Sequence, residues 1–258
     1  MNPTDVAQRE SSTYPTQWRV ELECPTENEA ATGRKERRGP MKIAIVGAGG
    51  HGRVALDCLR VRSGDDLDLA FFDDRWEEVV ELDGVPVRGS ISDLLHASEW
   101  DQVFVALGDN AARQRVAEDL VHRGRRLVTI VHPHTAISPR ATIGKGTIAV
   151  PGSVANAGAR VGRCVILNTL SSVGHDCLVE DFAQIAPGVN LGGGVVIERG
   201  AFLGIGAKVA PLARIGAWSV VGAGSVVLGD LPARSFCHGT PARVVRPVTL
   251  EEVPADAA

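Results

Sequence analysis

No stretch of this 258-residue sequence approaches the ~20 consecutive apolar residues that a membrane-spanning helix needs, so none of it reads as a transmembrane segment. Positive charge is not in excess either. Twenty-seven Lys and Arg stand against 31 Asp and Glu, a formal net charge of -4, which excludes the basic groove of a nucleic-acid binder and the cationic stripe of a membrane-surface helix. The five cysteines (Cys24, Cys58, Cys164, Cys177, Cys237) are odd in number, scattered and never in a C-x-x-C pair. Neither a disulfide framework nor a zinc knuckle is indicated, and all five read as reduced thiols. The first 40 residues lack the apolar core of a secretory signal, so the cytoplasm is the default compartment.

What the chain does have is a period. Positions 137, 143, 149 and onward to 227 are sixteen in number, without an insertion, and fourteen of them are Val, Ile or Leu; only Ala149 and Ala155 depart. Four residues after each, a small side chain recurs in fifteen of sixteen cases, from Ala141 and Thr147 to Ser225. A hexapeptide period held in two registers is the signature of a parallel β-helix, in which each short strand buries one aliphatic residue and the next coil covers it. Three hexads make one triangular coil, so residues eighteen apart share a column, with coils stacked at roughly 4.8 Å. Glycine often follows the aliphatic position (Gly144, Gly162, Gly174, Gly204, Gly216), which suggests corners whose dihedral angles a Cβ would oppose. Cys177 falls in the small-residue register and reads as core filler.

Before the repeat the pattern is different. Residues 1–40 are polar, carry four prolines and end in Arg34-Lys35-Glu36-Arg37-Arg38, the composition of a disordered extension. Met41 looks like a natural start. From there the order is strand (42–46), glycine turn (47–52) and helix (53–62), with further strands at 67–72, 103–107 and 127–131 and a helix at 110–122. That alternation predicts a small Rossmann-like parallel α/β domain over 41–131, followed by the β-helix over 132–231 and a C-terminal segment and tail over 232–258.

Two places carry chemistry. The turn Gly47-Ala48-Gly49-Gly50-His51-Gly52 fits G-x-G-x-x-G, and its free backbone N–H groups at a helix start suit a phosphate; Asp73 and Asp74 end the second strand, where a carboxylate can accept from a ribose or a base edge. The turn alone does not separate a dinucleotide from a sugar nucleotide. His175 is the only histidine within the sixteen hexads, third in its hexad and therefore pointing out of the coil, with Asp176 beside it. Imidazole is suited to take a proton near neutral pH, and a carboxylate can set its tautomer. One coil on, Gly193 in Leu191-Gly192-Gly193-Gly194 stacks over His175 and offers a backbone N–H that could polarise a carbonyl.

Gly47-Ala48-Gly49-Gly50-His51-Gly52, Phe72-Asp73-Asp74, Ala106-Leu107-Gly108-Asp109-Asn110, Gly174-His175-Asp176 and Gly239-Thr240-Pro241-Ala242-Arg243 together resemble the hexapeptide-repeat sugar acetyltransferases with an N-terminal nucleotide-sugar-binding domain. That group comprises sialic-acid O-acetyltransferases and UDP- or GDP-amino-sugar N-acetyltransferases. The resemblance covers Met41 to about Arg246. It implies a left-handed β-helix, a homotrimer, and acetyl-CoA held between neighbouring solenoids. It further implies His175 as general base with Asp176 as its partner, Gly193 and Ile205 along the acetyl-CoA, and Gly49, Gly50, His51, Asp73 and Asp74 at the sugar nucleotide. In relatives a second histidine often stands nine residues after the base and contacts the thioester carbonyl; here that position is Gln184, whose amide can still donate.

The expected reaction is acetyl transfer from acetyl-CoA to a sugar, most simply the amine of a nucleotide-linked amino sugar, with O-acetylation of sialic acid or another sugar precursor as the alternative. No metal is expected. A metal-dependent hydratase like the γ-type carbonic anhydrases needs several histidines converging from adjacent coils, and His132 and His134 have no partner a coil away. A non-enzymatic nucleotide-sugar scaffold would have no use for the His175-Asp176 pair.

Overall fold

The first strand, β1 (Met41–Val46), has Ile43, Ala44, Ile45 and Val46 all fully buried, as a central strand covered on both faces must be. The computed structural model describes residues 41–63, 67–100 and 102–248; the expected extension over 1–40 and the end of the tail lie outside them. After β1 come α1 (Gly50–Ser63), β2 (Leu67–Phe72), a hairpin of β3 (Glu81–Leu82) and β4 (Val85–Pro86), α2 (Ile91–His96), β5 (Gln102–Val105), α3 (Asn110–His122) and β6 (Arg126–Leu127). The main sheet has the order β2-β1-β5-β6, all parallel. On one face Ala55, Leu56 and Leu59 of α1 pack against Ile43, Ile45 and Phe71. On the other, Ala117 and Leu120 of α3 with Leu94 and Trp100 cover Val46, Phe72 and Val105.

Helix α1 begins at Gly50, three residues before the expected start at 53, so Gly50, His51 and Gly52 form its first turn. The strand expected over 127–131 is two strands. Val128 N–H still donates to Val103 O, but Ile130 N–H donates to Thr147 O, so the chain changes sheets at Thr129. β7 (Ile130–Val131) is thus the first strand of the solenoid, one hexad earlier than the repeat suggested, and pairs with Ile148–Ala149.

From β8 (Ala136–Ile137) to β23 (Val226–Val227) the chain is a left-handed β-helix of two-residue strands, and as far as Lys208–Val209 each is paired in parallel with the strand eighteen residues on, as Ile166↔Gln184 and Leu167↔Ile185 illustrate. Three sheets form the three faces of a triangular prism. The inward aliphatics Leu167, Val173, Ile185, Ile197, Leu203 and Ile215 are fully buried, and so are the small residues Ser171, Cys177, Ala183, Ala201 and Ala207 of the second register. β24 (Ser235–Gly239) extends the first face, and β25 (Ala242–Pro247) turns back antiparallel to close the end.

The glycines after the aliphatic positions serve a different purpose from the one expected. A Cβ on Gly144 would sit 2.5 Å from the Gly162 backbone, and one on Gly174 2.6 Å from Gly192 O, so these glycines allow coils to stack closely. The left-handed backbone falls two residues later, at Gly146 (φ 75), Gly152 (φ 77) and Gly158 (φ 77), and also at non-glycine corners including Cys164 (φ 51) and Asp176 (φ 58).

The outward positions of the first face form one column: Ile130, Ile148, Ile166, Gln184, Phe202, Val220. Ile130, Ile148 and Ile166 pack into the α/β domain's own core beside Ala55, Leu56 and Phe71, so that domain sits on the first face of the solenoid. Among the described residues no helix is long and apolar enough to cross a membrane.

Candidate active site

Where the α/β domain meets the first face, a cleft of about 400 Å³ opens. The glycine turn forms one wall, and its glycines divide into two pairs. Gly47 is left-handed (φ +99) and a Cβ there would lie 2.9 Å from Ala106 O; a Cβ on Gly52 would lie 2.1 Å from Gly47 O. Both are required by the turn itself. Around Gly50 nothing lies within 4 Å of a built Cβ, and around Gly49 only the Arg75 guanidinium at 3.9 Å. Those two present bare backbone to the cleft at the N-terminus of α1, whose first turn has no acidic residue, an arrangement that favours an anion.

Asp73 also lines the cleft, but its oxygens are in use. Ala48 N–H donates to Oδ2 (2.8 Å), while the Arg75 N–H and Nε donate to Oδ1 (2.9 and 3.2 Å). Those bonds hold its carboxyl below the usual range against the opposing effect of burial, and they make Asp73 the brace of the glycine turn. Asp74 Oδ1 accepts from Ile91 N–H at the start of α2 (3.1 Å).

His51 Nε2 is shielded from solvent and has no partner, and the ring stands 6.4 Å from that of Phe104. Burial, with the charge of Arg113 second, lowers its pKa to about 4, so the ring is neutral at pH 7. The sign of the stability effect follows. The unfolded chain takes a proton near 6.5 that the folded chain refuses until about 4, so stability is complete above pH 6.5, falls through that window, and levels below it. Between pH 7 and 4.5 the wild type is expected to lose about 2–3 kcal/mol more than His51→Gln, read as the difference in urea unfolding free energies. Equal losses would show that His51 protonates freely in the folded chain.

The opposite wall is solenoid: Asn168, Gln184 and Phe202. Gln184 is only 6% exposed, the one polar residue in the apolar outward column, and its Oε1 has no partner. A buried polar atom left unpaired costs about 1–3 kcal/mol, which a ligand in the cleft would recover. Asn168, Gln184 and Phe202 were not expected at the sugar-nucleotide site. Their signal was the break that Gln184 makes in an apolar column at eighteen-residue spacing, readable only once the covered face is known.

The structure does not bring His175 to this cleft. Strand Ser172–Val173 lies in the second sheet and Leu178–Val179 in the third, so His175 stands on the corner between them, the corner opposite the first face. Its side chain is 71% exposed and that of Asp176 73%. His175 Nδ1 and Asp176 Oδ2 are 2.9 Å apart. With Nδ1–H donating to the carboxylate, Nε2 keeps the lone pair that a base requires. The neighbouring coils make room for this pair. A Cβ on Gly193 would lie 2.4 Å from His175 Nε2, and a Cβ on Gly158 2.3 Å from Asp176 Oδ1. Gly193 therefore stands over the imidazole, as its column position predicted. Ile205, 56% exposed, follows a first-face strand and lies on the corner that bears Asn168, away from Gly193. Cys177 is buried beneath the pair, its thiol donating to Gly192 O (3.0 Å) with burial raising its pKa.

His132 and His134 have rings 5.4 Å apart, and His132 Nδ1 accepts from His134 N–H. Among the described residues no group of three or more His, Cys, Asp or Glu is placed to hold a metal ion.

Residues 42–120 match the PglD N-terminal domain family. Over 174 residues the chain is 34% identical to GDP-perosamine N-acetyltransferase of Escherichia coli O157:H7, which spans 64% of this chain and 76% of that protein. Over 115 residues it is 35% identical to UDP-N-acetylbacillosamine N-acetyltransferase of Bacillus subtilis, spanning 41% and 50%. Its structure is similar to that of a mutant perosamine N-acetyltransferase from Caulobacter crescentus in complex with CoA and GDP-perosamine, with TM-score 0.75 and 35% identity over 80% of this chain and 97% of that one. It is equally similar to the acetyltransferase domain of PglB from Neisseria gonorrhoeae in complex with acetyl coenzyme A, with TM-score 0.75 and 33% identity over 80% and 100%.

Proposed function

Since the chain belongs to the hexapeptide-repeat sugar acetyltransferases with a PglD-type N-terminal domain, and is an acetyl-CoA-dependent acyltransferase, we propose that it acetylates the amino group of a nucleotide-linked amino sugar. The observation that carries this reading is the cleft. Bare backbone at Gly49 and Gly50 suits a diphosphate, and the opposite wall offers Asn168 and Gln184 to a sugar. The resemblance to an enzyme solved with CoA and GDP-perosamine supports it.

In the proposed reaction the sugar nitrogen attacks the thioester carbonyl. The C–N bond forms, His175 Nε2 takes the proton from nitrogen, the C–S bond breaks, and CoA leaves as thiolate to be protonated. No acyl-enzyme is needed. Asp176 supports the imidazolium, and the Gly193 N–H is available to the oxyanion. Because His175 lies on the corner opposite the cleft, the base acting on each cleft belongs to another copy of the chain. The working enzyme is then a homotrimer in the cytoplasm, with acetyl-CoA running between Gly193 of one solenoid and Ile205 of the next.

Thermal unfolding of the protein with UDP, GDP, CMP or NAD, each with and without CoA, tests the acceptor class. A ligand at ~100 times its dissociation constant adds about 2.7 kcal/mol. Stabilisation by CoA together with one nucleoside diphosphate is expected and would name the carrier. Stabilisation by CoA alone would point instead to O- or N-acetylation of a free sugar.

A further inference from the structure

Arg113, on α3, is 1% exposed and among the described residues bonds no carboxylate, although the charge of Asp109 acts on it. Every acceptor it uses is neutral. Nε donates to Cys164 O (2.9 Å), Nη1 to Leu107 O (2.8 Å) and Gly108 O (3.2 Å), and Nη2 to Phe182 O (2.8 Å) and Asn110 Oδ1 (2.7 Å). One turn earlier on the helix, Asn110 Nδ2 donates to Gly200 O (3.0 Å). Cys164, Phe182 and Gly200 occupy the same corner of three successive coils, all with left-handed backbone (φ 51, 61 and 68). Their N–H groups donate to Lys145, Arg163 and Asp181 of the coil below, so their carbonyls are left for α3. Coil spacing of about 4.8 Å matches the ~5–6 Å between i and i+3 side chains, which lets two side chains of one helix bond three rungs.

This contact stands directly behind the cleft. Leu107 and Gly108 line its α/β wall, and Phe182 is two residues from Gln184 on its solenoid wall. We propose that Arg113, with Asn110, is a positioning residue for the transfer: it registers the nucleotide-sugar cleft on the solenoid rungs, and its unpaired buried charge draws an anionic ligand that it does not touch. The proposal rests on the nucleotide-sugar reading of the cleft. A guanidinium bonded only to carbonyls in a water-poor interior keeps most of its field. Burial lowers its pKa only to about 10, so it is charged at neutral pH. Arg113 lies close behind the cleft, since its Nη1 bonds the carbonyls of Leu107 and Gly108 that line it, and after burial its charge is the second cause of the lowered His51 pKa. The other charged groups that line the cleft with His51 are Arg75, Asp73, Asp74 and Asp109; Asp73 is bonded to Arg75, and Asp109 caps α3 through Ala112 N–H.

The test uses Arg113→Met, Arg113→Lys and Asn110→Ala in the full chain. It reads the His51 titration midpoint by NMR, the affinity for GDP and UDP, and kcat with KM for each substrate. For Arg113→Met the His51 midpoint should rise by half a unit or more, and nucleotide affinity should fall about tenfold, with KM for acetyl-CoA within twofold. Arg113→Lys and Asn110→Ala keep the cation, so the His51 midpoint should stay low while kcat falls about tenfold through lost registration. A merely structural role would lower melting temperature in all three and move neither the midpoint nor the KM for one substrate alone. An unchanged His51 midpoint and nucleotide affinity in folded Arg113→Met would overturn the charge; unchanged kcat in both other variants would overturn the registration. If Arg113→Met does not fold, the charge is read from nucleotide affinity in Arg113→Lys, where a tenfold loss would overturn it. Because the His51 titration needs no ligand, a shifted midpoint in a protein that binds no nucleotide would sink the nucleotide-sugar reading and leave the charge standing.

Discussion

Replacing His175 with alanine is expected to lower kcat by about 10²–10⁴ while leaving the KM for acetyl-CoA nearly unchanged, since that is the usual contribution of a positioned general base. The geometry supports a loss of this kind. The imidazole is held 2.9 Å from Asp176 Oδ2 on an exposed corner, with its Nε2 against the bare backbone of Gly193. Nothing in the fold depends on the side chain, which is 71% exposed, so the variant should keep its melting temperature. Asp176→Asn should cost less, because an amide can still accept from Nδ1–H but gives no charge to the imidazolium. Steady-state kinetics with acetyl-CoA and the acceptor found by thermal unfolding measure both. Turnover in His175→Ala within a factor of a few of wild type would remove His175 from the chemistry, and with it the direct-transfer mechanism.

The solenoid was legible because its period is written in side chains that must be buried wherever the coil is placed. Leu167, Val173 and Val179 name three successive faces without reference to anything distant. The contact between His175 and Asp176 was legible because the two are neighbours in sequence on one exposed corner. The α/β domain was legible in its strands and in α3, whose bounds coincide with the expectation, because alternating buried runs need only neighbours in sequence. What escaped notice was long-range. That Gln184 faces a cleft depends on which solenoid face the α/β domain covers, and no residue near Gln184 announces it. Nothing near Arg113 in the sequence announces its contacts, since its five acceptors come from segments as far as 69 residues away. Asp73, expected at the ligand from its place at a strand end, does line the cleft, and only coordinates add that its bonds to Ala48 and Arg75 hold the turn the ligand would meet. The glycine rule failed on a subtler point. Backbone approach between coils and left-handed dihedrals both select glycine, and only coordinates assign them to different positions.

The separation of base and cleft leads to an outcome that a single-chain site would not give. Gly50→Asp is expected to abolish use of the nucleotide sugar by more than 100-fold, because it places a carboxylate where the diphosphate would lie. The variant should fold, since nothing stands within 4 Å of a Cβ at Gly50 and an acidic residue in the first turn of α1 is favourable. His175→Ala is inactive for the other reason. Each homo-oligomer alone should therefore show almost no turnover. Copies of the two variants co-expressed with different tags and purified as mixed assemblies should recover activity, because some sites join an intact cleft from one copy to an intact His175 from its neighbour. Every trimer that contains both variants has one site in three joining an intact cleft to an intact His175, so purified mixed trimers should return about a third of wild-type activity. That fraction depends on how many copies close the ring, about a half for a mixed dimer against about a third for a mixed trimer, so it should agree with the copy number that light scattering reports. A site assembled within one chain would recover nothing, since every chain in the mixture lacks either its cleft or its base. Absence of recovery in assemblies shown to contain both tags would mean that the cleft and His175 of one chain meet by a rearrangement of the α/β domain, which the α3 contact with three rungs argues against.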